Sequence, residues 1–283
     1  MPLSEPRPRP RPRPRPVALT VAGTDSGGGA GVAADLKVFQ AHGVWGTCAV
    51  TAVTAQNTEG VHAVSVIPAD MVVAQIDAVV GDIGVDAAKT GMLATAELVS
   101  AVAAALRRAG VAALVVDPVL VSKHGTSLLA DESVTAVRDE LLPLAAVVTP
   151  NLAEAARLVG FPVDDRAAME AAAHELVRLG AGAALVKGGH LGGDGSPDCL
   201  VLAGDPGVLW LEAERIPGRN THGTGCVLSA ALCAGLARGT PVPDAARAAT
   251  AFIRRAIAGG LGLGAGIGPV DPGGPPPPNW TRG

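Results

Sequence analysis

The sequence predicts an α/β fold in which helices cover both faces of a mostly parallel central sheet. Short β-branched runs alternate along the chain with segments that repeat apolar residues at helical spacing, which is typical of consecutive βαβ units. Hydrophobic residues make up 48% of the 283 residues and aromatic residues only 2%, with no Tyr. A core of Ala, Val, Leu and Gly suits helices that pack closely against a sheet.

The predicted elements follow one another in a regular order. Apolar runs predict strands at 17–22, 46–54, 85–89, 111–117, 145–149 and 183–187, and a more exposed pair at 199–203 and 208–213. Apolar residues at helical spacing predict helices at 30–41, 69–80, 152–159, 167–179, 225–237 and 243–259. Two more helices are expected after Thr95 and Asp131, because both side chains suit an N-cap position.

Both ends of the chain differ in composition from the body. Residues 1–16 contain five Arg-Pro pairs, which cannot form helix or sheet ladders because every second residue lacks an N–H group. We therefore expect a disordered Arg-Pro tail at 1–16, one domain at 17–270 and a disordered Pro/Gly-rich tail at 271–283. The Arg-Pro tail is interpreted as a dispensable extension in preference to an SH3-type ligand or a basic tether.

Charge and cysteine usage argue against several classes of function. Residues 1–16 hold five Arg and one Glu, so the net charge of −4 for the chain leaves −8 on the rest. An acidic body without clustered Lys and Arg argues against nucleic-acid binding. The four Cys show neither a C-x-x-C pair nor zinc-finger spacing, so reduced thiols are expected. No run of about 18 apolar residues and no secretory signal occurs, and we expect a soluble, cytoplasmic protein with no membrane partner.

Polar residues at the predicted strand ends indicate where a ligand would bind. Asp25, Gln56, Asp117, Asn151 and Lys187 each lie at or just beyond the end of a predicted strand. Ligands of parallel α/β sheets bind beyond the carboxyl ends of the strands, so these side chains should meet at one edge of the sheet.

The sharpest local motif is the segment Asn220–Cys226, with the sequence NTHGTGC, which leads directly into a predicted helix. Its glycines allow backbone N–H groups to converge on an anion at the helix start. The helix dipole is expected to lower the pKa of the Cys226 thiol, whose thiolate could accept a proton from an attacking hydroxyl group. A glycine turn before a buried Cys is an equally good interpretation of this segment alone, and loop geometry adequately explains His222.

Two common nucleotide-binding motifs are absent from the sequence. No G-x-x-x-x-G-K-[ST] occurs, which excludes a Walker P-loop. The loop at 23–31 misses the dinucleotide pattern because Val32 takes the place of its third glycine, so a Rossmann dehydrogenase is disfavoured.

Six ordered segments carry a specific resemblance. They are AGTDSGGGAGVAADLKVFQAHGVWGTCAVTAVTAQNTEGV, KTGML, VVDPVLVSKHG, VTPNLAEAARLVG, ALVKGGHL and NTHGTGCVLSAALCAGLARG. From Val17 to Val270 the chain resembles the hydroxymethylpyrimidine/phosphomethylpyrimidine kinases of thiamine biosynthesis, which belong to the ribokinase-like superfamily. The resemblance implies a three-layer α/β/α sandwich with a mostly parallel central sheet.

The resemblance implies substrate-binding roles for Gln56, Asp35 and Met92. Gln56 is expected to bind an aminopyrimidine, because a carboxamide offers a donor and an acceptor side by side. The alternatives are that Gln56 caps backbone groups, that Asp35 is a solvated helix acid and that Met92 belongs to the core.

The resemblance also assigns the glycine segment that precedes the predicted helix at 225–237. Gly223, Thr224, Gly225 and Cys226 match the anion hole and the catalytic position, where most ribokinase-like enzymes have Asp and this branch has Cys. These four residues are therefore expected to be catalytic.

Metal and nucleotide roles are implied for four further residues. Asp117 and Glu154 resemble the acids that organise Mg²⁺ and its waters around the phosphates, and hard oxygen ligands suit this ion. Lys187 and Asn151 resemble residues that bind the nucleotide. The alternative for Glu154 is an acid that only stabilises the start of a helix.

The expected function is ATP-dependent phosphorylation of 4-amino-5-hydroxymethyl-2-methylpyrimidine and of its monophosphate, with Mg²⁺ bound to ATP as co-substrate. We expect a homodimer. A pyridoxal or pyridoxine kinase of the same superfamily is the alternative enzyme. A non-catalytic pyrimidine-binding protein is the alternative from another class, and the intact GTGC loop, Asp117 and Lys187 argue against it.

Overall fold

The structure is a computed structural model that describes residues 13–120, 131–189, 191–192 and 195–274. Most of the predicted Arg-Pro tail and residues 275–283 of the predicted C-terminal tail lie outside these residues. Both tails therefore stay predictions, as does the proposed limit of the domain at residue 270.

The described residues contain ten strands. They are β1 (Val17–Ala22), β2 (Trp45–Val50), β3 (Ala52–Gln56), β4 (Val61–Val66), β5 (Ala87–Thr90), β6 (Leu114–Val116), β7 (Val147–Val148), β8 (Ala183–Val186), β9 (Asp198–Leu202) and β10 (Val208–Leu211). Eight of them form one sheet in the order β10-β9-β8-β7-β6-β5-β1-β2, and β3 pairs with β4 in a second, small sheet.

The α-helices in the described part of the chain lie between these strands and after the last one. They are α1 (Gly31–Ala41), α2 (Ala69–Asp82), α3 (Ala96–Ala109), α4 (Asp131–Ala136), α5 (Leu152–Val159), α6 (Arg166–Arg178), α7 (Thr224–Ala237) and α8 (Val242–Ala258). The chain leaves α4 through a π-helical turn at Val137–Leu141 and a 3₁₀ turn at Leu142–Leu144. Thr95 caps α3 as predicted, because its side chain accepts a hydrogen bond from the Leu98 amide at 3.1 Å.

The predicted mostly parallel sheet is confirmed. β1 pairs in parallel with both β2 and β5, and the parallel arrangement continues through β6, β7 and β8. β9 and β10 add to one edge in antiparallel pairing. The carboxyl ends of the parallel strands therefore open at one edge of the sheet, where the polar strand-end residues lie.

Alternate residues of each central strand face two separate cores, which makes the fold a three-layer sandwich. In β1, Leu19 and Val21 pack into the core beneath α2, α3, α5 and α6, whereas Ala18 packs into the core beneath α1, α7 and α8. This division follows from the two-residue period of a strand that is buried on both faces.

The predicted strand at 46–54 is wrong, because two strands occupy this segment. β2 ends at Val50, and β3 turns away from the large sheet to pair with β4, which the sequence did not predict. Thr51 holds the corner: its amide donates to the Ala22 carbonyl at 3.0 Å and its hydroxyl to the Met92 carbonyl at 2.6 Å. Every residue of β4 is exposed, so its sequence shows no buried face that would have revealed a strand.

Candidate active site

The start of α7 lies at the edge of the sheet where the parallel strands end. Gly223 has the left-handed backbone conformation (φ 83°) and begins the helix, and its carbonyl accepts the Val227 amide at 2.9 Å. Among the described residues, no protein acceptor binds the N–H groups of Gly225 and Cys226. Two amide donors at the positive end of a 14-residue helix are thus open to an anion.

This geometry requires glycine at two close approaches. A Cβ atom on Gly223 would overlap the carbonyl oxygen of Gly29, and one on Gly31 would overlap the carbonyl oxygen of Gly23. The loop at 23–31 and the start of α7 therefore meet backbone against backbone. A side chain at Gly223 would force the loop and the helix start apart, and one at Gly31 would distort the loop itself.

A buried ion pair lies against the open amides. Lys187 Nζ is 3.1 Å from Asp117 Oδ1, and a Cβ atom on Gly225 would lie 3.3 Å from the same Nζ. Burial disfavours the charged form of Asp117, but the Lys187 and Lys89 cations outweigh it and lower the pKa of this carboxyl. Asp117 is therefore ionised at neutral pH, close to the position where phosphates would bind.

Asp117 is further held by two hydroxyl groups. Ser229 Oγ, one turn into α7, donates to Asp117 Oδ2 at 3.0 Å, and Thr149 Oγ1 lies 3.3 Å from Oδ1. The sequence did not single out Ser229 or Thr149, and their residue types carry no signal that would have revealed these contacts.

Glu154 and Asn151 cap the start of α5. Glu154 Oε2 accepts the Asn151 amide at 2.9 Å, and Asn151 Oδ1 accepts the Glu154 amide at 3.0 Å. These contacts are the ones expected from the alternative interpretation of the sequence, in which Glu154 is an acid that stabilises the start of a helix. The oxygen of the Asn151 side chain is occupied by the cap, so only its NH₂ group is available to a nucleotide.

Glu154 is also close to the charges of the site. The pKa of Glu154 is raised to about 7, because burial and the Asp117 carboxylate raise it more than the Lys187 cation lowers it. No cluster of three or more His, Cys, Asp or Glu that could hold a metal occurs in the described residues. Two carboxylates that repel each other fit a Mg²⁺ ion whose other ligands are water and phosphate oxygens.

The predicted lowering of the Cys226 pKa is wrong. Burial raises the pKa of the Cys226 thiol, the carboxylates of Asp35 and Asp117 raise it further, and Lys89 acts in the opposite direction. The sequence showed that Cys226 lies at a helix start, where the dipole lowers a thiol pKa. It did not show that Asp35 and Asp117, which come from distant segments, lie close enough to raise it. Cys226 is therefore a thiol at neutral pH when no substrate is bound.

Asp35 lies in a buried ion pair, and its predicted substrate-binding role stays a prediction. Its side chain and that of Lys89 are both fully buried, and Lys89 Nζ lies 2.9 Å from each Asp35 oxygen. Thr20 Oγ1 donates to Asp35 Oδ2 at 2.6 Å. Burial disfavours the Lys89 cation, but Asp35 outweighs it and raises the pKa of the ammonium group, whereas burial raises the pKa of Asp35. The two contacts from Lys89 and the one from Thr20 are those of an ionised carboxylate, so the geometry favours an ion pair. It joins α1 to β1 and β5 close to Cys226.

Gln56 and Met92 lie beside the glycine loop at 23–31. The Gln56 backbone is tied to the glycine loop, because Ser26 Oγ lies 2.7 Å from both its amide and its carbonyl oxygen. The Met92 methyl group packs over Gly23, where a Cβ atom would come within 2.5 Å. Both side chains are partly exposed. This placement leaves Gln56 and Met92 open to a ligand.

His222 has a partner that the sequence did not reveal. Its Nε2 lies 2.8 Å from Asp25 Oδ2, although the two residues are 197 positions apart. Loop geometry is therefore not a sufficient explanation of His222. The only available signal was that both residues lie in glycine-rich loops beside predicted elements of the same sheet edge.

Comparison with known proteins identifies the family. The family model described as phosphomethylpyrimidine kinase matches residues 25–271. The chain therefore belongs to the phosphomethylpyrimidine kinase family. It is an enzyme, a kinase of the ribokinase-like fold, as the sequence predicted.

Two relatives and one solved structure illustrate the similarity. The chain is 51% identical to a hydroxymethylpyrimidine/phosphomethylpyrimidine kinase of Streptomyces coelicolor, over 89% of this chain and 93% of that one. It is 52% identical to the protein of the same description from Rhizobium meliloti, over 88% and 94%. Staphylococcus aureus pyridoxal kinase in complex with AMP-PCP and pyridoxal superposes with a TM-score of 0.84 at 34% identity, over 92% and 94%.

No α-helix in the described ranges has the length and apolar character needed to cross a membrane.

Lys89→Met should lower the free energy of unfolding by about 3–5 kcal/mol, because it leaves the Asp35 carboxylate buried without its cation. Arg108→Met is the matched control, since Arg108 and its partner Asp77 are 55% and 53% exposed. The control should cost at most about 1 kcal/mol. Urea denaturation measures both values, and equal losses would contradict the structural role of the buried pair.

Proposed function

We propose that this kinase transfers the γ-phosphoryl group of Mg-ATP to the hydroxymethyl group of 4-amino-5-hydroxymethyl-2-methylpyrimidine, and then phosphorylates the monophosphate. This activity agrees with the description of its relatives as hydroxymethylpyrimidine/phosphomethylpyrimidine kinases, and it would place the protein in thiamine biosynthesis. The observation that carries the proposal is the pair of open amides at Gly225 and Cys226, adjacent to Lys187.

The open amides would stabilise the charge of the transferring phosphoryl group. Phosphoryl transfer depends mainly on positioning and on electrostatic stabilisation of the phosphate oxygens. The start of α7 supplies two fixed N–H donors and the helix dipole, and Lys187 supplies a positive charge. None of these groups has to move before the reaction.

The nucleotide would bind on the side of Lys187 and Asn151. AMP-PCP, which the Staphylococcus aureus pyridoxal kinase binds, is an analogue of ATP. Asp117 and Glu154 would hold Mg²⁺. The bound ion would neutralise part of the phosphate charge. Lys187 would remain charged beside the phosphates, because Asp117 and Glu154 raise the pKa of its ammonium group against the effect of burial.

Cys226 would accept the proton of the hydroxymethyl group. The substrate oxygen forms a bond to the γ-phosphorus, the bond from phosphorus to the bridging oxygen of ADP breaks, and the proton passes to the thiolate sulfur. Because burial raises the pKa of this thiol, only a minor thiolate fraction is present at neutral pH and it grows as the pH rises. Proton removal is thus a smaller contribution than positioning.

Cys226→Ala should lower kcat by about 10²-fold and change the KM for the pyrimidine by less than about threefold, because proton transfer is lost and binding groups remain. Mass spectrometry of the products from both pyrimidine substrates measures the activity, with Cys48→Ala as the matched control. For the wild type, kcat should rise from about pH 7 to about pH 9, and the variant should lose this dependence.

Two outcomes of that experiment would contradict the proposal. Unchanged turnover in Cys226→Ala would remove the thiol from the mechanism. A wild-type protein that leaves both pyrimidines unmodified, yet phosphorylates pyridoxal, would favour the alternative activity, for which the similarity to the Staphylococcus aureus enzyme is the supporting observation.

The small sheet is the surface that we propose for a homodimer. A two-stranded sheet is marginally stable alone, and Val64 and Val66, which share one face of this one, are 52% and 44% exposed. Trp45 on the adjoining edge strand β2 is 55% exposed. A second copy of the chain would cover these apolar side chains and the free edge of β4.

Val64→Lys should convert the dimer to a monomer, because it places a charge in the covered apolar surface. Met71→Lys is the matched control, since Met71 is 55% exposed but lies on α2, outside the small sheet. Sedimentation velocity measures the mass of each. A wild-type monomer would contradict the proposal.

We also infer a cytoplasmic location. ATP is available there, and all four cysteines are free, as expected for a reducing compartment.

A further inference from the structure

His222 lies between the glycine loop at 23–31 and the carboxamide of Gln56. Its Nε2 lies 2.8 Å from Asp25 Oδ2 and 3.4 Å from Gln56 Nε2. The His222 amide donates to the Gly268 carbonyl at 3.0 Å, and its carbonyl accepts the Val270 amide at 3.1 Å. The backbone of His222 is thus fixed on both sides, so its ring is held in one place.

Asp25 fixes which nitrogen of His222 carries a proton. Oδ1 accepts the Gly27 amide at 2.8 Å, and Oδ2 accepts the Gly29 and Ala30 amides at 3.0 and 2.9 Å. Burial opposes ionisation of Asp25, but these bonds and the bond from His222 lower the pKa of the carboxyl. An ionised carboxylate only accepts hydrogen bonds, so His222 Nε2 must be the donor.

This donor is poorly matched by the Gln56 group beside it. With a proton on His222 Nε2, the 3.4 Å contact places an N–H group against the Gln56 NH₂ group. On the other side of the carboxamide, Gln56 Oε1 is 3.3 Å from Thr54 Oγ1. Thr54 has a single hydroxyl proton, which it donates to the Thr24 carbonyl at 2.9 Å. Both contacts therefore pair groups of like polarity.

Half a turn of the carboxamide about its terminal bond corrects both contacts. The oxygen and the NH₂ group have nearly the same size, so their exchange leaves the packing unchanged. The Gln56 oxygen would then face the His222 N–H, and its NH₂ group would face the lone pairs of Thr54. The single Nε2 proton of His222, which bonds Asp25, would then lie beside an oxygen in place of a second donor, and neither contact would pair groups of like polarity.

We propose that Asp25 and His222 position the Gln56 carboxamide, with its oxygen towards His222, and thereby select a ring that bears an amino group beside its hydroxymethyl group. This inference rests on the proposed function. His222 and Asp25 are positioning residues, since they act on the substrate through Gln56.

The chemistry of the substrate agrees with this orientation. The amino and hydroxymethyl groups of the pyrimidine occupy neighbouring ring carbons. If the hydroxymethyl group is directed at Cys226, the amino group lies towards the segment Asn220–Cys226, which also carries His222. The Gln56 oxygen would accept from the amino group, and the Gln56 NH₂ group would donate to the adjacent ring nitrogen.

A substrate with the reverse pattern tests the selection. In the 4-oxo counterpart of the pyrimidine, the exocyclic group is an acceptor and the adjacent ring nitrogen is a donor. Binding this ring requires the Gln56 carboxamide to turn its NH₂ group towards the His222 N–H. Loss of the His222 donor should remove that penalty, and the preference for the amino substrate should fall.

The experiment compares kcat/KM for the amino and oxo substrates in three variants. His222→Leu removes the donor and should lower the ratio of amino to oxo kcat/KM at least about tenfold. His222→Gln retains an N–H group that reaches Asp25 and should keep the ratio within about threefold of the wild type. His174→Leu is the matched control, because His174 is partly buried on α6, and it should leave the ratio unchanged.

An unchanged ratio in His222→Leu, with or without an equal loss of kcat/KM for both substrates, would overturn the positioning role and leave the proposed function standing. A wild type that phosphorylates neither pyrimidine would instead defeat the proposed function, and this inference with it. The ¹⁵N spectrum of the wild-type histidines shows which nitrogen of His222 carries the proton, and this test does not depend on the folding of any variant. A proton on His222 Nε2 is expected, and a neutral ring protonated only on Nδ1 would overturn the proposal.

Discussion

The close contact between the Gly29 carbonyl and Gly223 is the constraint on which the rest of the site depends. Because neither loop carries a side chain at the contact, the backbone of 23–31 lies directly against the start of α7. That contact holds Gly223 at a left-handed φ of 83°, and the amides of Gly225 and Cys226 that follow it bind no acceptor in the described part of the chain. It also brings Asp25 to His222. One backbone contact would therefore fix both the proposed phosphate position at α7 and the proposed ring position at Gln56.

Two buried ion pairs give this backbone its electrostatic surroundings. Lys187 and Asp117 lie beside the open amides, and Lys89 and Asp35 lie deeper. Buried charges are costly unless paired, so each pair fixes the positions of the elements that carry it. The same carboxylates raise the pKa of Cys226. In the proposed function, the site would therefore act mainly by holding phosphate charge, and proton removal would contribute less.

The sequence predicted the features that depend on local pattern. β1 was predictable because every residue of Val17–Ala22 is apolar or small and buried, and the start of α7 because glycines precede an apolar helical segment. β4 was missed because it has no buried face. The Asp35–Lys89 pair spans 54 residues and the Asp25–His222 pair 197, so neither could be seen in a local pattern. The direction of the Cys226 pKa was wrong for the same reason.

Gly223→Ala tests most directly whether the backbone contact creates the phosphate site. Gly239 is the matched control, because it also has a positive φ (79°) just beyond the other end of α7 but no neighbouring atom that a Cβ would meet. Gly239→Ala should retain kcat within about threefold and lose about 1 kcal/mol of stability. Gly223→Ala should lower kcat by at least about 10²-fold, since displaced amides no longer meet the phosphoryl group. Equal kcat values in the two variants would contradict the account.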